Sequence, residues 1–180
     1  GTSTPPQWET ISMAPWAIDA WHASANSARE WTCTGCGGSP PYLYDCTSGF
    51  RMLGGYQICG SGCSFSKIYD ALPPHSSVYV ELFYFAIDGW DHDLSGTTQD
   101  IDYVQIVLEN DTLSQCYPPP HGVSASPCGA STGSDFGPFR CTAYAAHTAE
   151  SLTIRIEPHL NNTNNPEYLG IVAVKLYLIP

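Results

Sequence analysis

The sequence predicts an all-β fold, a single disulfide-bonded β-sandwich of jelly-roll type with long loops rich in Gly, Pro and Ser. Three observations predict it. The second half contains apolar runs rich in Val, Ile, Tyr and Phe, stretches of Gly, Pro, Ser and Asn separate these runs, and helical periodicity is nearly absent. The 180 residues are enough for one substantial core, and no linker or repeat divides them, so we expect one domain over residues 1–180.

The first 75 residues are the least regular part of the chain. We expect residues 1–49 to form an N-terminal arm followed by a loop region that contains cysteines. Residues 51–75, RMLGGYQICGSGCSFSKIYDALPPH, predict a pair of strands with glycine turns. His75 and His147 each precede a strong strand pattern, and we expect both to be turn or edge residues rather than metal ligands.

The remaining strands follow in order. Residues 76–87, SSVYVELFYFAI, predict a strand buried on both faces, and residues 101–108, IDYVQIVL, predict the next. Residues 116–139 contain too much Pro and Gly for regular structure and predict a long loop pinned by cysteines. Two alternating strands close the chain at 151–157 and 171–179. The side chains expected on the core faces of these two strands are Leu152, Ile154 and Ile156, then Val172, Val174, Leu176 and Leu178.

The charge balance excludes two classes of partner. The formal net charge is -11, with only six Lys and Arg residues in the whole chain. Nucleic acid and anionic membrane surfaces would not be attracted to such a surface. No run of 18 apolar residues occurs in the sequence, so we expect no membrane insertion.

The cysteine content is the strongest compositional signal. A CxxC pair at Cys33 and Cys36 also occurs in zinc sites and redox motifs. A zinc site needs a second close pair, for which Cys59 and Cys63 are a loose candidate. A redox motif needs a following helix, which GGSPPYLYD cannot form. We therefore predict structural disulfides, formed in an oxidising compartment. The cysteines are Cys33, Cys36, Cys46, Cys59, Cys63, Cys116, Cys128 and Cys141.

The pairing of these cysteines is left open by the sequence, since eight cysteines allow about 105 pairings. We expect the last three to pair among themselves and the first five likewise, with one bond between the groups. Two sequons, at Asn110 and Asn161, predict glycosylation. The chain opens on GTSTPPQ without a signal peptide pattern, and we expect it to be the mature form of a secreted protein.

An acidic segment follows the strongest strand, in FYFAIDGWDHD. Between Lys67 and Arg140 the sequence contains no basic residue, although it contains ten acidic ones. Crowded carboxylates without counter-charge repel one another, and a calcium ion relieves that repulsion. We expect Asp88 and Asp91 to converge on one calcium ion, with Asp93 or Asp135 completing the site. The alternatives are a solvated acidic loop and a pair of catalytic carboxylates.

The sequence does not favour an enzyme. It contains no GxSxG, HExxH, P-loop or GxGxxG motif, and its six histidines are scattered. The five Trp and eleven Tyr residues suit sugar stacking in a lectin, but they equally suit a thick core or a subunit interface.

A series of short motifs gives a resemblance. The order of these segments over about residues 50–180 resembles the secreted β-rich modules of ciliate and other protist surface proteins, including mastigoneme-like proteins, which carry an IDSWD motif and later an ESWGI motif. Tyr168 and Leu169 depart from this pattern, since the family has Ser and Trp there. The resembling segments are Leu53-Gly54-Gly55-Tyr56, Leu72-Pro73-Pro74-His75, Ile87-Asp88-Gly89-Trp90-Asp91, Cys128-Gly129, His147-Thr148 and Glu167-Tyr168-Leu169-Gly170-Ile171.

The resemblance implies an extracellular structural or adhesive role without enzyme activity, and it places Asp88, Asp91 and Glu167 near one ion. We therefore predict a secreted or cell-surface structural subunit of an extracellular filament, appendage or coat, which assembles with itself and is stabilised by calcium. The alternative is a calcium-dependent carbohydrate-binding module of lectin type, whose partners are glycans.

Overall fold

The computed structural model describes residues 13–21, 26–46, 49–90, 101–118, 128, 135–160 and 166–180, and the structural statements below concern these residues. Within them the chain forms a 3₁₀ helix (Asn26–Glu30) and the strands β1 (Ala17–Ala20), β2 (Thr32–Thr34), β3 (Leu43–Asp45), β4 (Arg51–Gly54), β5 (Ser64–Tyr69), β6 (Ser77–Ile87), β7 (Tyr103–Leu108), β8 (Asp111–Cys116), β9 (Phe136–Ala146), β10 (Leu152–His159) and β11 (Tyr168–Ile179). No helix in these ranges is long and apolar enough to cross a membrane.

The strands form two antiparallel sheets, which confirms the predicted β-sandwich. Sheet A has the order β3-β4-β11-β6-β9, with β1 also paired to β11, and sheet B has the order β2-β5-β10-β7-β8. From β4 to β11 the chain changes sheet at every connection except that between β7 and β8. Such repeated crossing between two facing sheets is typical of a jelly roll.

The main core lies between the sheets and follows the predicted alternation in β10. Leu152, Ile154 and Ile156 are fully buried, whereas the residues between them are partly exposed. They share one apolar cluster with Val80 and Leu82 of β6. Burial in β10 therefore alternates every second residue, as the apolar residues of its sequence do.

The strand β6 is buried on both faces only at its end. Its burial alternates up to Phe83, and every residue from Tyr84 to Ile87 is buried. Phe85 and Ile87 point away from the main core and, with Met52, belong to a second, smaller apolar cluster on the outer face of sheet A. The prediction of two buried faces therefore holds for this last part of β6.

The expectation that Val172 faces the core is wrong. A β-bulge interrupts the pairing of β11 with β6 between Ile171 and Ala173. Because a bulge adds one residue, it reverses the alternation, so that Ile171 and Val174 both lie in the main core. Val172 instead packs against the outer cluster.

The expected pairing between β4 and β5 is also wrong, although both strands exist. The strand β4 pairs with β11 and β3, whereas β5 pairs with β10 and β2 in the other sheet. Gly54 and Gly55, with φ of 76° and 96°, lie where the chain leaves sheet A. Backbone with positive φ favours glycine, so the LGGY motif marks a crossing between sheets rather than a hairpin turn.

All the predicted disulfide cysteines are bonded, and within the described chain no cysteine is free. One bond joins the early and late groups, as expected, and links Cys46, directly after β3, to Cys128, which lies between β8 and β9 in the sequence. The pairs are Cys33–Cys36, Cys46–Cys128, Cys59–Cys63 and Cys116–Cys141. This set is typical of proteins that fold in an oxidising compartment.

The structure describes only one of the two predicted glycosylation sites. Asn110 is exposed in the turn between β7 and β8, a position that a glycosyltransferase can reach. Asn161 lies outside the described residues. Glycosylation therefore stays a prediction at both sites.

The two strand-end histidines contact each other. His75 Nε2 lies 2.8 Å from His147 Nδ1, and the two rings are nearly parallel. His75 Nδ1 lies 2.6 Å from the carbonyl oxygen of Pro73, so this nitrogen donates. The pair joins the start of β6 to the end of β9.

An ion network attaches β1 to sheet B. The carboxylate of Asp19, on β1, accepts hydrogen bonds from Trp31 Nε1 at 3.2 Å, Lys67 Nζ at 2.8 Å and Tyr69 Oη at 2.6 Å. Asp19 is only 4% exposed. Since β1 also pairs with β11 of sheet A, this carboxylate connects the two sheets.

Candidate functional site

The predicted acidic site lies where β6 ends. Asp88 follows the strand with φ of 65°, and Gly89 continues the turn at 79°. Asp is one of the few residues besides glycine that adopt this conformation readily. The turn brings Asp88 beside Asp135, which precedes β9, and both side chains are buried, at 7% and 2% exposure.

Asp135 holds the backbone at this end of sheet A. Its Oδ1 accepts a hydrogen bond from the Asp88 backbone N–H at 3.0 Å, and its Oδ2 accepts one from the Cys128 N–H. The disulfide between Cys128 and Cys46 extends this link to the end of β3. Two donors on one carboxylate fix its orientation.

The other predicted metal ligands are only partly described. Glu167 is buried, at 5% exposure, directly before β11. Asp91 and Asp93 lie outside the described residues. In the part of the chain that the structure describes, no three acidic or histidine side chains bring their ligand atoms within 4.8 Å of one another. The calcium site therefore stays a prediction.

Three tyrosines form a surface patch beside these carboxylates. Tyr44 comes from β3, Tyr56 from the turn after β4, and Tyr168 from the start of β11. Ring centroids are 6.1 Å apart for Tyr44 and Tyr56 and 5.3 Å apart for Tyr56 and Tyr168, both edge to face. All three are partly exposed, and each packs against the outer apolar cluster. We call Tyr44, Tyr56 and Tyr168 the tyrosine patch.

The backbone under the tyrosine patch is fixed from several directions. The carbonyl of Tyr168 accepts a hydrogen bond from Trp90 Nε1 at 3.0 Å. The next residue, Leu169, donates its N–H to the Cys59 carbonyl at 2.8 Å and accepts from the Gly55 N–H at 2.7 Å. Because these partners come from separate segments, the backbone that carries Tyr168 is held in one position.

The carboxylates influence the phenol groups of the tyrosine patch. Partial burial raises the pKa of Tyr44, and the neighbouring Tyr56, Asp135 and Asp88 raise it further, in that order. Burial likewise raises the pKa of Tyr168, with added contributions from Tyr56 and Asp88. Both phenols therefore keep their protons at neutral pH and can donate hydrogen bonds.

A second polar group lies farther along the outer face of sheet A, on β6, β9 and β11. Glu81 accepts hydrogen bonds from Tyr177 Oη at 2.6 Å and from Arg140 Nε at 2.6 Å, and Arg140 Nη2 donates to Tyr79 Oη at 2.6 Å. Burial alone would raise the pKa of Glu81, but these bonds from Tyr177 and Arg140 outweigh it and lower the pKa below its ordinary value. We call Tyr79, Glu81, Arg140 and Tyr177 the sheet-face cluster.

The outer face of sheet A thus combines aromatic rings with oriented donors and acceptors. Aromatic faces pack against the apolar C–H faces of a sugar ring, and phenol and carboxylate groups exchange hydrogen bonds with its hydroxyl groups. Such a surface suits a neutral, polyhydroxylated ligand.

Sequence reasoning named the carboxylates but missed the tyrosines. Tyr44, Tyr56 and Tyr168 are far apart in the chain, and no periodic pattern connects them. Tyr168 stood out only as a departure from the ESWGI motif of the resembling family. The signal that was present is local, since Tyr44 lies within β3, Tyr56 follows β4 and Tyr168 opens β11.

Comparisons with known proteins give no family for this chain. No protein-family model matches it, and no curated protein matches it. Several solved structures are similar. An exo-β-1,3-galactanase from Phanerochaete chrysosporium, in complex with β-1,3-galactotriose, covers 97% of this chain and 32% of its own length, at 12% identity and a TM-score of 0.44. The chain therefore spans about a third of the galactanase.

Two further structures resemble the chain over most of its length. CsCBM6-3 from Clostridium stercorarium, in complex with cellobiose, covers 84% of this chain and 95% of its own, at 14% identity and a TM-score of 0.36. A cyclase from Fischerella sp. TAU covers 83% of this chain and 75% of its own, at 12% identity and a TM-score of 0.41.

Proposed function

We propose that this chain is an extracellular carbohydrate-binding module and that the tyrosine patch is its binding site. The observation that carries the proposal is the position of three partly exposed tyrosine rings beside Asp88 and Asp135, on a backbone fixed by several hydrogen bonds. A rigid, amphipathic platform binds a sugar with little loss of side-chain freedom.

The charge of the chain fits a neutral glycan better than an anionic one. The net charge is -11, and the carboxylates nearest the tyrosine patch add to it locally. An acidic polysaccharide would be repelled by them, whereas hydroxyl groups donate hydrogen bonds to carboxylates. The ligand class is therefore an uncharged oligosaccharide or polysaccharide, and calcium acts, in this proposal, by fixing the adjacent turn.

The test is binding of the native protein to a glycan array, followed by calorimetry with the best soluble oligosaccharide. Tyr56→Ala removes the central ring of the tyrosine patch and should abolish detectable binding. Tyr117→Ala is the matched control, because Tyr117 is a 52% exposed tyrosine that directly follows β8 of sheet B and packs against Tyr103. A blank array, or equal loss of affinity in both variants, would contradict the proposal.

A second candidate, a self-assembling structural subunit, is favoured by one observation. The strand β9, 11 residues long, is an edge strand of sheet A, where among the described strands it pairs with β6. Open edges accept a strand from a second copy. Sedimentation velocity in calcium and then in EDTA distinguishes the candidates. Large species that dissociate in EDTA would favour the subunit, and a monomer in both buffers would exclude it.

A further inference from the structure

Two of the disulfides lie in contact with each other, on the segments that carry Cys33 and Cys36 and Cys59 and Cys63. Cys63 Sγ is 3.5 Å from Cys36 Sγ and 4.0 Å from Cys33 Sγ, although Cys63 is bonded to Cys59 and Cys33 to Cys36. The sulfur atoms of Cys33, Cys36 and Cys63 all lie within 4.8 Å of one another. Four cysteines from two chain segments therefore meet at one place.

The two distances from Cys63 Sγ to the other disulfide fit a tetrahedral thiolate site. A zinc ion with Zn–S bonds of about 2.3 Å sets its ligands about 3.8 Å apart, by the geometry of a regular tetrahedron. The two distances from Cys63, 3.5 and 4.0 Å, lie on either side of this value. Because Cys59 is the disulfide partner of Cys63, opening that bond releases a fourth thiol beside the other three.

Backbone contacts hold the two cysteine segments together without help from the disulfides. The Gly37 N–H donates to the Ile58 carbonyl at 2.8 Å. A Cβ atom on Gly35 would lie 2.5 Å from the Gly62 carbonyl oxygen, so the two backbones touch. Cys33 also lies on β2, which pairs with β5 directly after Cys63. The four thiols would therefore stay close together after reduction.

An access path leads to the cluster from solvent. A cleft of about 270 Å³, lined by residues that include Trp31, Pro41, Tyr42 and Cys33, opens beside it. Cys33 and Cys36 are partly exposed, whereas Cys63 is buried at 2% exposure. A small reductant and a hydrated metal ion can approach from this side, which a metal site in a folded protein requires.

We propose that Cys33, Cys36, Cys59 and Cys63 form, in the reduced state, a binding site for one zinc ion or a similar thiophilic divalent cation. Each disulfide takes two electrons and two protons from a dithiol, which becomes a disulfide itself, and two thiols result. Zinc then replaces the thiol protons as the four thiolates coordinate it. The cluster thus has two exclusive states, a pair of disulfides or a metal site.

The experiment uses the full chain, reduced with a phosphine, desalted without oxygen and titrated with Co²⁺ as a spectroscopic probe for zinc. We expect about one Co²⁺ per chain, with the intense visible bands of tetrahedral thiolate coordination, and displacement by Zn²⁺. Zn²⁺ should also protect about half of the reduced cysteines from a thiol reagent, since four of the eight belong to the cluster.

Two matched double variants make the outcome decisive. Cys33→Ser with Cys63→Ser removes one sulfur from each segment of the cluster and should abolish stoichiometric binding. Cys116→Ser with Cys141→Ser removes the same number of cysteines elsewhere and should leave binding unchanged. Circular dichroism reports whether the reduced chain keeps its strands. If it unfolds and Zn²⁺ restores the signal, the proposal is supported through metal-coupled folding.

The proposal is overturned if the reduced chain binds no Co²⁺ whether it is folded or unfolded. It is also overturned if the Cys116 and Cys141 variant loses binding to the same extent as the Cys33 and Cys63 variant. Rapid reoxidation of Cys36 with Cys63 in the presence of Zn²⁺, seen as a crosslinked peptide by mass spectrometry, would show disulfide exchange instead. These results are independent of glycan binding, so either proposal can fail alone.

Discussion

Removing the carboxylate of Asp19 should destabilise the sandwich more than any comparable change at its surface. Asp19 is 4% exposed and accepts hydrogen bonds from Trp31, Lys67 and Tyr69. The side chain of Lys67 is only 10% exposed, so its ammonium group depends on this partner and on Glu30, 2.6 Å away. The substitution Asp19→Ala therefore leaves buried donors without their acceptor.

The expected loss of unfolding free energy follows from the interactions that Asp19 makes with these partners. Breaking a buried ion pair by removing one member costs about 3–5 kcal/mol, and each buried donor left without an acceptor costs about 1–3 kcal/mol. Glu30 is 60% exposed and retains part of the attraction to Lys67. We therefore expect Asp19→Ala to lower the free energy of unfolding by about 4 kcal/mol, the contributions being less than additive.

The assay is equilibrium unfolding in urea with the disulfides intact, in which the midpoint and the slope are both fitted. Asp45→Ala is the matched control, because the Asp45–Arg51 pair is exposed, at 68% and 38% for the two side chains. That pair should contribute less than about 1 kcal/mol. If Asp19→Ala is as mild as Asp45→Ala, the reasoning that this network joins the two sheets is refuted.

Three further outcomes are expected. Asp88→Ala should lower the melting temperature by about 3 °C, since Asp88 is buried in a left-handed turn, whereas Asp111→Ala should not, since Asp111 is exposed. Calcium should raise the melting temperature of the parent but not that of Asp88→Ala. Equal effects of the two substitutions would contradict this prediction. The pKa of Glu81 is lowered by folding, so its contribution to stability is present above the ordinary carboxyl pKa and is lost as the pH falls through the lowered value. Urea midpoints measured against pH should show this loss, and the same pH dependence should be absent in Glu81→Gln. Gly35→Ala should destabilise more than Gly38→Ala in thermal melts, because both have positive φ but only Gly35 meets backbone within 4 Å; similar melting temperatures would show that φ alone decides.

The strands that the sequence predicts best are those whose burial depends on local alternation. β10 lies within a few residues of its predicted range, because one of its faces packs on the core and the other does not. β7 also lies close to its predicted range, although its last three residues are all buried. β11 begins earlier than predicted, at Tyr168, and its bulge reverses the faces of Val172. Whether a bulge forms depends on both strands of a pair, so the residue pattern of one strand does not predict it.

The residue pattern did not predict which of the distant strands pair with one another. The glycines at 54 and 55 fit a hairpin turn and a crossing between sheets equally well, and only the positions of β10 and β11 decide between them. The tyrosine patch was not predicted for the same reason, because its rings are brought together by three separate strand pairings. The acidic turn at Asp88, in contrast, was visible because a carboxylate after a strong strand is a local feature.

Calorimetric titration of the native protein and of Tyr56→Ala, with the neutral oligosaccharide that ranks first on a glycan array, tests whether the tyrosine patch is the binding site. We expect binding by the native protein, no detectable binding by Tyr56→Ala, and unchanged affinity in Tyr117→Ala. Binding that survives the removal of the central ring of the tyrosine patch, or that is lost equally in the control, would contradict the assignment of this site.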